Sequence, residues 1–324
     1  MDAILLFALP MRFDAGDQAN GSEIEDRRGG GFRFPGGGIG AGAGGLGIIG
    51  LIVVGLVRLL GGDVVVGDAP PQGQPQQPSP QQPSPQQQPG QAQPHAGQGG
   101  ATLGGSCAGV TSATDQGKFI ACVETNVQAF WTRTLSTGAA PYRIAKLVLF
   151  TDATRSGCGT ASAQSGPFYC PPDEKVYLDL GFFEELHRRF HAKGGDFAEA
   201  YIVAHEYGHH VQKLLGIEER MRSAQRARPG DRNALSVQLE LQADCFAGVW
   251  GHSAYEKGKV ASDEIAQALD AAASVGDDRI QKEARGRITP ETFTHGSAAD
   301  RQRWFGRGMN SGDPKECDTF ASRP

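Results

Sequence analysis

The sequence predicts an α+β domain, mainly helical with a small β-sheet, confined to the last two thirds of the chain. Three observations carry this expectation. Apolar residues recur at helical spacing after residue 115, as in Phe119, Ile120, Val123, Val127, Phe130 and Trp131. Two short runs, KLVLF at 146–150 and VYLDL at 176–180, read as strands. The 46 glycines and 19 prolines of the 324 residues crowd toward the first third, leaving the later residues to build the core.

Residues 1–10 form an apolar run too brief to span a bilayer, and Met11-Arg12 reads as an alternative start. Residues 1–38 are expected to be a cytoplasmic N-terminus; the polar, glycine-rich part from 14 to 34 is expected to have little fixed structure. Residues 39–60, IGAGAGGLGIIGLIVVGLVRLL, are long and apolar enough for a transmembrane helix. Arg27, Arg28 and Arg33 precede this segment, and no Lys or Arg occurs between Arg58 and Lys118. The positive-inside bias then predicts one crossing with the N-terminus inside and the rest in the periplasm or outside. Residues 61–103 are a Pro/Gln-rich linker, including QQPSPQQPSPQQQP, with too little apolar surface to fold.

The globular domain is expected over 104–324. A helix is predicted over 115–135, strands at 146–150, near 168–170 and at 176–180, and a loop through 156–159. A second helix is expected over about 182–191, before Gly194-Gly195 breaks the chain. The next helix opens at Asp196 as N-cap and stops at Gly216. Residues 218–231 read as charged surface or a flap. Another helix opens at Asn233 or Ser236 and reaches about Tyr255. Ser262 caps a helix to about Val275, and Thr289-Pro290-Glu291 begins a short one. Ser297 caps a last helix that ends at Gly306 to Gly308.

The net charge of −5 and the absence of a basic arm argue against nucleic acid as a partner. All six cysteines lie after the linker, an even number that suggests three disulfides in an oxidising compartment. Sequential pairing, 107 with 122, 158 with 170 and 245 with 317, is the expected connectivity.

The chemistry centres on His205-Glu206-Tyr207-Gly208-His209. Residues four apart on a helix share a face, so His205 and His209 can present two imidazoles to one metal ion, with Glu206 placed beside them as a general base. Zinc sites of this kind need a third protein ligand. Glu240 is the best candidate, because Leu239, Leu241, Ala243, Phe246, Ala247 and Trp250 make its helix apolar, and an acid embedded there needs a cation. Asp244, four residues on, can accept the second N–H of a ligating histidine. His210 points about 100° away around the helix. His187 and His191 read as a solvated face and His252 as structural. His295 and Arg301 are candidates for stabilising an oxyanion, with packing or support of the ligands as the alternative.

HEYGHHVQ, ELQADCFAGVW and FTHGSAADRQRWF, with GPFYCPPDEKVYLDLGFF and the early Arg12-Phe13 and Glu25-Asp26-Arg27-Arg28, resemble the neutral zinc metallopeptidase family of bacterial envelope proteins. The resemblance implies a zincin-like fold, one Zn²⁺ per chain and a membrane-anchored enzyme acting on peptide or protein substrates. It implies His205 and His209 as ligands and Glu206 as the catalytic base. Similarity to peptidases that pair HExxH with a downstream ExxxD, gluzincin-like, implies Glu240 as third ligand and a His295/Arg301 pair at the site. A zinc-stabilised envelope scaffold or chaperone with vestigial chemistry is the alternative.

Overall fold

The computed structural model describes residues 10–29, 103–137, 140–162, 165–190 and 194–321. The membrane segment expected at 39–60 and nearly all of the linker lie outside these residues. Among the described residues, no helix is long and apolar enough to cross a membrane.

The order of elements is β1 (Gln18–Ala19), β2 (Ile24–Asp26), β3 (Gly105–Ser106), α1 (Ser112–Thr134), β4 (Lys146–Phe150), β5 (Ala153–Ser156), β6 (Gly159–Ser162), β7 (Phe168–Cys170) and β8 (Lys175–Asp179). Next come α2 (Gly181–Phe190), α3 (Asp196–Leu214), α4 (Ile217–Ala227), α5 (Arg232–Glu256), α6 (Ser262–Ser274), α7 (Asp277–Arg285) and α8 (Ala298–Ser311). The mainly helical α+β architecture with small sheets agrees with the expectation.

The principal sheet has the order β2-β4-β8-β7. Its first three strands run parallel and β7 runs antiparallel to β8, with Tyr169 opposite Val176. Strand β4 is buried at Leu147, Val148, Leu149 and Phe150 because it is covered on both faces, which is why its sequence is a continuous apolar run rather than an alternating one. Helix α3 is the axis of the domain: Phe197, Ala200, Tyr201, Ala204, Tyr207 and Val211 are fully or almost fully buried. It packs against α1, α5, α6 and β7.

Several expectations are corrected. The little fixed structure expected over 14–34 does not hold for 14–29. Met11, Phe13, Ala19 and Ile24 enter the core, and β2 is the edge strand beside β4, so the domain begins before the linker rather than after it. The segment is short of apolar residues, but nearly every one it has is buried. Residues 156–159 are the turn of a hairpin, β5–β6, not a plain loop. The charged stretch 218–231 is mostly exposed, as expected of a surface segment, but residues up to Ala227 form the ordered helix α4, whose Met221 packs with Leu235 and Leu239. Helix α7 was not anticipated. Gly195, at φ 117°, is the N-cap of α3, and Asp196 is instead the first helical residue. The Asp196 carboxylate accepts from the Ser112 backbone N–H at 3.1 Å and its hydroxyl at 2.5 Å, joining the starts of α1 and α3.

Helix α8 continues past Gly306 and Gly308 to Ser311. These glycines do not all stop the helix; Gly308 and Gly248 form its crossing with α5. A Cβ on Gly248 would overlap the Phe305 carbonyl, and one on Gly308 would overlap the Cys245 carbonyl. Gly312, in the left-handed region, ends the helix.

All three disulfides, Cys107–Cys122, Cys158–Cys170 and Cys245–Cys317, form as expected.

Candidate metal centre

Helices α3 and α5 approach closely because Gly208 faces Ala243; a Cβ at Gly208 would sit 3.1 Å from the Ala243 carbonyl oxygen. This crossing brings Glu240 against the two histidines. His205 Nε2 lies 3.4 Å from Glu240 Oε2, and His209 Nε2 lies 3.2 Å from Glu240 Oε1. Among the described residues these three form the group able to hold a metal ion, with ligand atoms within 4.8 Å of one another. Glu240 is fully buried and His205 nearly so, whereas the His209 side chain is 11% exposed, so the cluster meets solvent on the His209 side.

The donor set fits zinc. His205 Nδ1 is 2.9 Å from Asp244 Oδ1, and the carboxylate fixes the proton on that nitrogen. The Nε2 of His205 therefore turns a lone pair toward Glu240. His205 Nε2, both Glu240 carboxylate oxygens and Glu206 Oε1 are buried without a hydrogen-bond partner. Buried polar atoms are rarely left so. Two imidazole lone pairs facing a carboxylate are mutually repulsive until a cation stands between them, and a nitrogen–nitrogen–oxygen set suits Zn²⁺.

The electrostatics show a demand for positive charge between the ring and the carboxylates. Burial disfavours an imidazolium at His205, yet the hydrogen bond to Asp244 and the charges of Asp244 and Glu240 outweigh it and raise this histidine to about 10. A metal ion on Nε2 would meet that demand in place of a proton. Burial would also raise Glu240, but His209 and His205 hold it well below the usual carboxylate range. Glu206 is different. Burial pushes it up, only partly opposed by His205 and His209, with a further hydrogen bond from the Tyr169 backbone. A carboxylate shifted toward neutrality is a better proton acceptor at neutral pH.

Asp244 is the hub behind the ligands. Besides His205 it accepts from Tyr201 Oη at 2.6 Å, from Arg301 Nε at 2.8 Å and from Arg301 Nη2 at 2.9 Å. Asp244 thus occupies its expected place. Arg301 does not stand at the ligand atoms: its donors go to Asp244, to Tyr201 Oη and to the Val275 carbonyl, and it is 1% exposed. Of the two roles weighed for Arg301, contact with an oxyanion or support of the ligands, its hydrogen bonds are those of support: the guanidinium grips Asp244, which bonds Nδ1 of His205.

His295 is buried on the turn before α8. Its Nδ1 is 3.1 Å from Asp277 Oδ1, and Asp277 Oδ2 accepts the backbone N–H groups of Thr294, His295 and Gly296. Gly296 of this turn packs beside Val237 and Leu241, on the helix that carries Glu240. His210 lies outside the cluster, bonded to Tyr169 Oη and the Arg143 carbonyl, and His252 bonds the Met309 carbonyl, both as expected.

Two supporting residues were not anticipated. Tyr201, one turn before His205, caps Asp244. Gln212, three residues after His209, sets its Oε1 2.9 Å from His209 Nδ1. The i+3 spacing was visible in the sequence, but glutamines on helices are too common for it to stand out.

The chain matches the model of the family described as "Putative neutral zinc metallopeptidase" over residues 11–320. It belongs to that family. It is 45% identical over 207 residues to the uncharacterised protein YpfJ of Escherichia coli (strain K12), covering 64% of this chain and 72% of that protein. It is 43% identical over 225 residues to the uncharacterised protein Rv2575 of Mycobacterium tuberculosis (strain ATCC 25618 / H37Rv), covering 65% of this chain and 74% of that protein. No solved structure matches. The family match begins at residue 11, in accord with a domain that starts at the N-terminal segment.

Proposed function

We propose that the protein is a zinc-dependent, gluzincin-like metallopeptidase that hydrolyses peptide bonds of a peptide or protein substrate. The observation that carries this reading is the convergence of His205 Nε2, His209 Nε2 and the Glu240 carboxylate, with Glu206 beside them. His205, His209 and Glu240 would hold one Zn²⁺. When bound, that ion acts as a Lewis acid and lowers the pKa of water to about 7. Glu206 takes the proton from the attacking water and returns it to the leaving amine. Asp244, braced by Arg301 and Tyr201, keeps the proton of His205 on Nδ1 and the ring aimed at the ion. His295, held by Asp277 on the turn that packs beside the helix carrying Glu240, is the residue we assign to the developing oxyanion. A substrate strand pairs with β7, the antiparallel edge of the sheet, whose Tyr169 backbone already bonds Glu206.

Three disulfides support an oxidising location in the bacterial envelope, with residues 39–60 as the membrane contact. The test is metal analysis of the purified protein and of Glu240→Ala, with a digest of a diverse peptide library by both. One zinc per wild-type chain, cleavage by it, and loss of both in Glu240→Ala are expected. Stoichiometric zinc without cleavage of any peptide would favour a vestigial, zinc-stabilised scaffold instead.

A further inference from the structure

Beyond Gln212 the hydrogen bonding continues to the C-terminal segment. Gln212 Nε2 donates to the Leu239 carbonyl at 2.7 Å and to Gln242 Oε1 at 3.1 Å. Gln242 Nε2 donates in turn to the Cys317 carbonyl at 2.9 Å. Gln212 is fully buried and Gln242 almost so. Backbone carbonyls only accept, so the Leu239 and Cys317 oxygens each require an amide NH₂ and fix both glutamines against a flip. Gln212 Oε1 must then face His209, and since that oxygen only accepts, His209 Nδ1 must carry the proton. The Nε2 lone pair is left for the metal. The far end of the chain is anchored by Cys245–Cys317, and Cys245 directly follows Asp244. Thr319 Oγ1, bonded to the Gln238 carbonyl, ties the same segment to α5.

We infer that Gln212 and Gln242 are positioning residues that set the tautomer of His209, and that the Cys245–Cys317 disulfide holds their terminal acceptor in place. This inference rests on the zinc reading of the site. The two histidines are thus supported in chemically different ways: His205 by a carboxylate and His209 by a neutral amide relay that ends on a disulfide-bonded residue.

Zinc affinity of the full chain, measured by chelator competition, tests the relay. Gln212→Leu, close in size but unable to accept, should bind zinc about 10–100-fold more weakly. Gln242→Leu touches no ligand and should lose a smaller factor, about threefold to tenfold, by releasing Gln212. Removal of the disulfide as Cys245→Ala/Cys317→Ala should also weaken zinc, and should add little to Gln242→Leu because both cut one chain of bonds. Imidazole ¹⁵N spectra of the zinc-loaded protein should place the His209 proton on Nδ1, which a merely structural role would not require. A proton on Nε2, unchanged zinc affinity in Gln212→Leu, or fully additive losses in the double-variant cycle would overturn the inference. Absence of zinc binding by the wild-type protein would instead remove the metallopeptidase reading, so the two failures are distinguishable.

A second inference comes from the N-terminal segment. Strand β1 pairs with β3, Gln18 opposite Ser106, and β2 pairs with β4, Glu25 opposite Val148. The Arg12 backbone N–H donates to the Lys259 carbonyl at 2.7 Å, and Lys175 bonds Glu25 at 2.6 Å. Residues on both sides of 30–102 therefore belong to one folded body. We propose that residues 11–29 and 103–321 share one side of the membrane, so that the chain between them crosses it an even number of times or not at all. This replaces a single crossing with the N-terminus cytoplasmic. In intact cells carrying the full chain, Ala15→Cys and Ser311→Cys, both exposed, should react alike with a membrane-impermeant thiol reagent. Labelling of one with shielding of the other would overturn it.

Discussion

Arg301 grips Asp244 with two nearly parallel hydrogen bonds, Nε to Oδ2 at 2.8 Å and Nη2 to Oδ1 at 2.9 Å. Such a bidentate pair fixes direction as well as charge. It explains how a carboxylate with no solvent exposure remains ionised: burial pushes Asp244 up, but Arg301 and His205 bring it below its ordinary value. The proton on His205 Nδ1 thus depends on a residue from a different helix, 57 positions later in the chain than Asp244.

Lysine cannot reproduce the planar fork. Arg301→Lys should therefore weaken zinc by roughly tenfold or more, read by chelator competition. Arg301→Ala strands a buried carboxylate and should destabilise the protein by about 3–5 kcal/mol, read by denaturant unfolding. A direct oxyanion role would give the opposite pattern, with unchanged zinc affinity and a fall in kcat alone.

Glycine at the α5–α8 crossing gives a prediction about stability. Gly248→Ala and Gly308→Ala each drive a methyl into a facing carbonyl, so each should cost roughly 3 kcal/mol or more. Gly306→Ala, whose added Cβ meets nothing within 4 Å, should be neutral or slightly stabilising, because alanine is the better helix former. Thermal unfolding of the three variants decides the matter.

These glycines show what the sequence could and could not reveal. HExxH was legible because helical periodicity is local: four residues fix which imidazoles share a face. Glu240 was legible because an acid in an apolar helix demands a cation. The contact between Gly248 and Gly308 joins helices distant in sequence, and there glycine reads equally well as a stop. Arg301 was found as a candidate with two roles left open, since spacing along one helix does not say which side of His205 it meets. Residues 14–29 were misjudged because the segment is mostly polar, and its pairing with β3 and β4 is long-range.

A pH dependence arises from Glu124 on α1. Burial, with Glu23 nearby, raises this carboxyl to about 8, against donors from Thr125, Gln128 and Tyr207. Its proton is held in the folded state but released from the unfolded chain above pH 4.5, the ordinary value. The associated stability is complete below 4.5 and declines as pH rises toward 8, levelling off once the folded state also ionises. Glu124→Gln should remove that slope, gaining on the order of 4 kcal/mol over wild type at pH 8 and little at pH 4.5. Urea unfolding across this range tests it; a wild-type stability contributed by Glu124 that rises with pH would contradict the assignment.

In the proposed mechanism Glu206 moves the proton while His205, His209 and Glu240 only hold the ion. The most direct measurement compares peptide hydrolysis by wild type and Glu206→Gln at matched, verified zinc content. Glutamine keeps the shape but cannot accept the proton, so the variant should retain zinc and lose hydrolysis by on the order of 10²–10⁴-fold. A zinc-loaded Glu206→Gln that cleaves as fast as wild type would contradict the account.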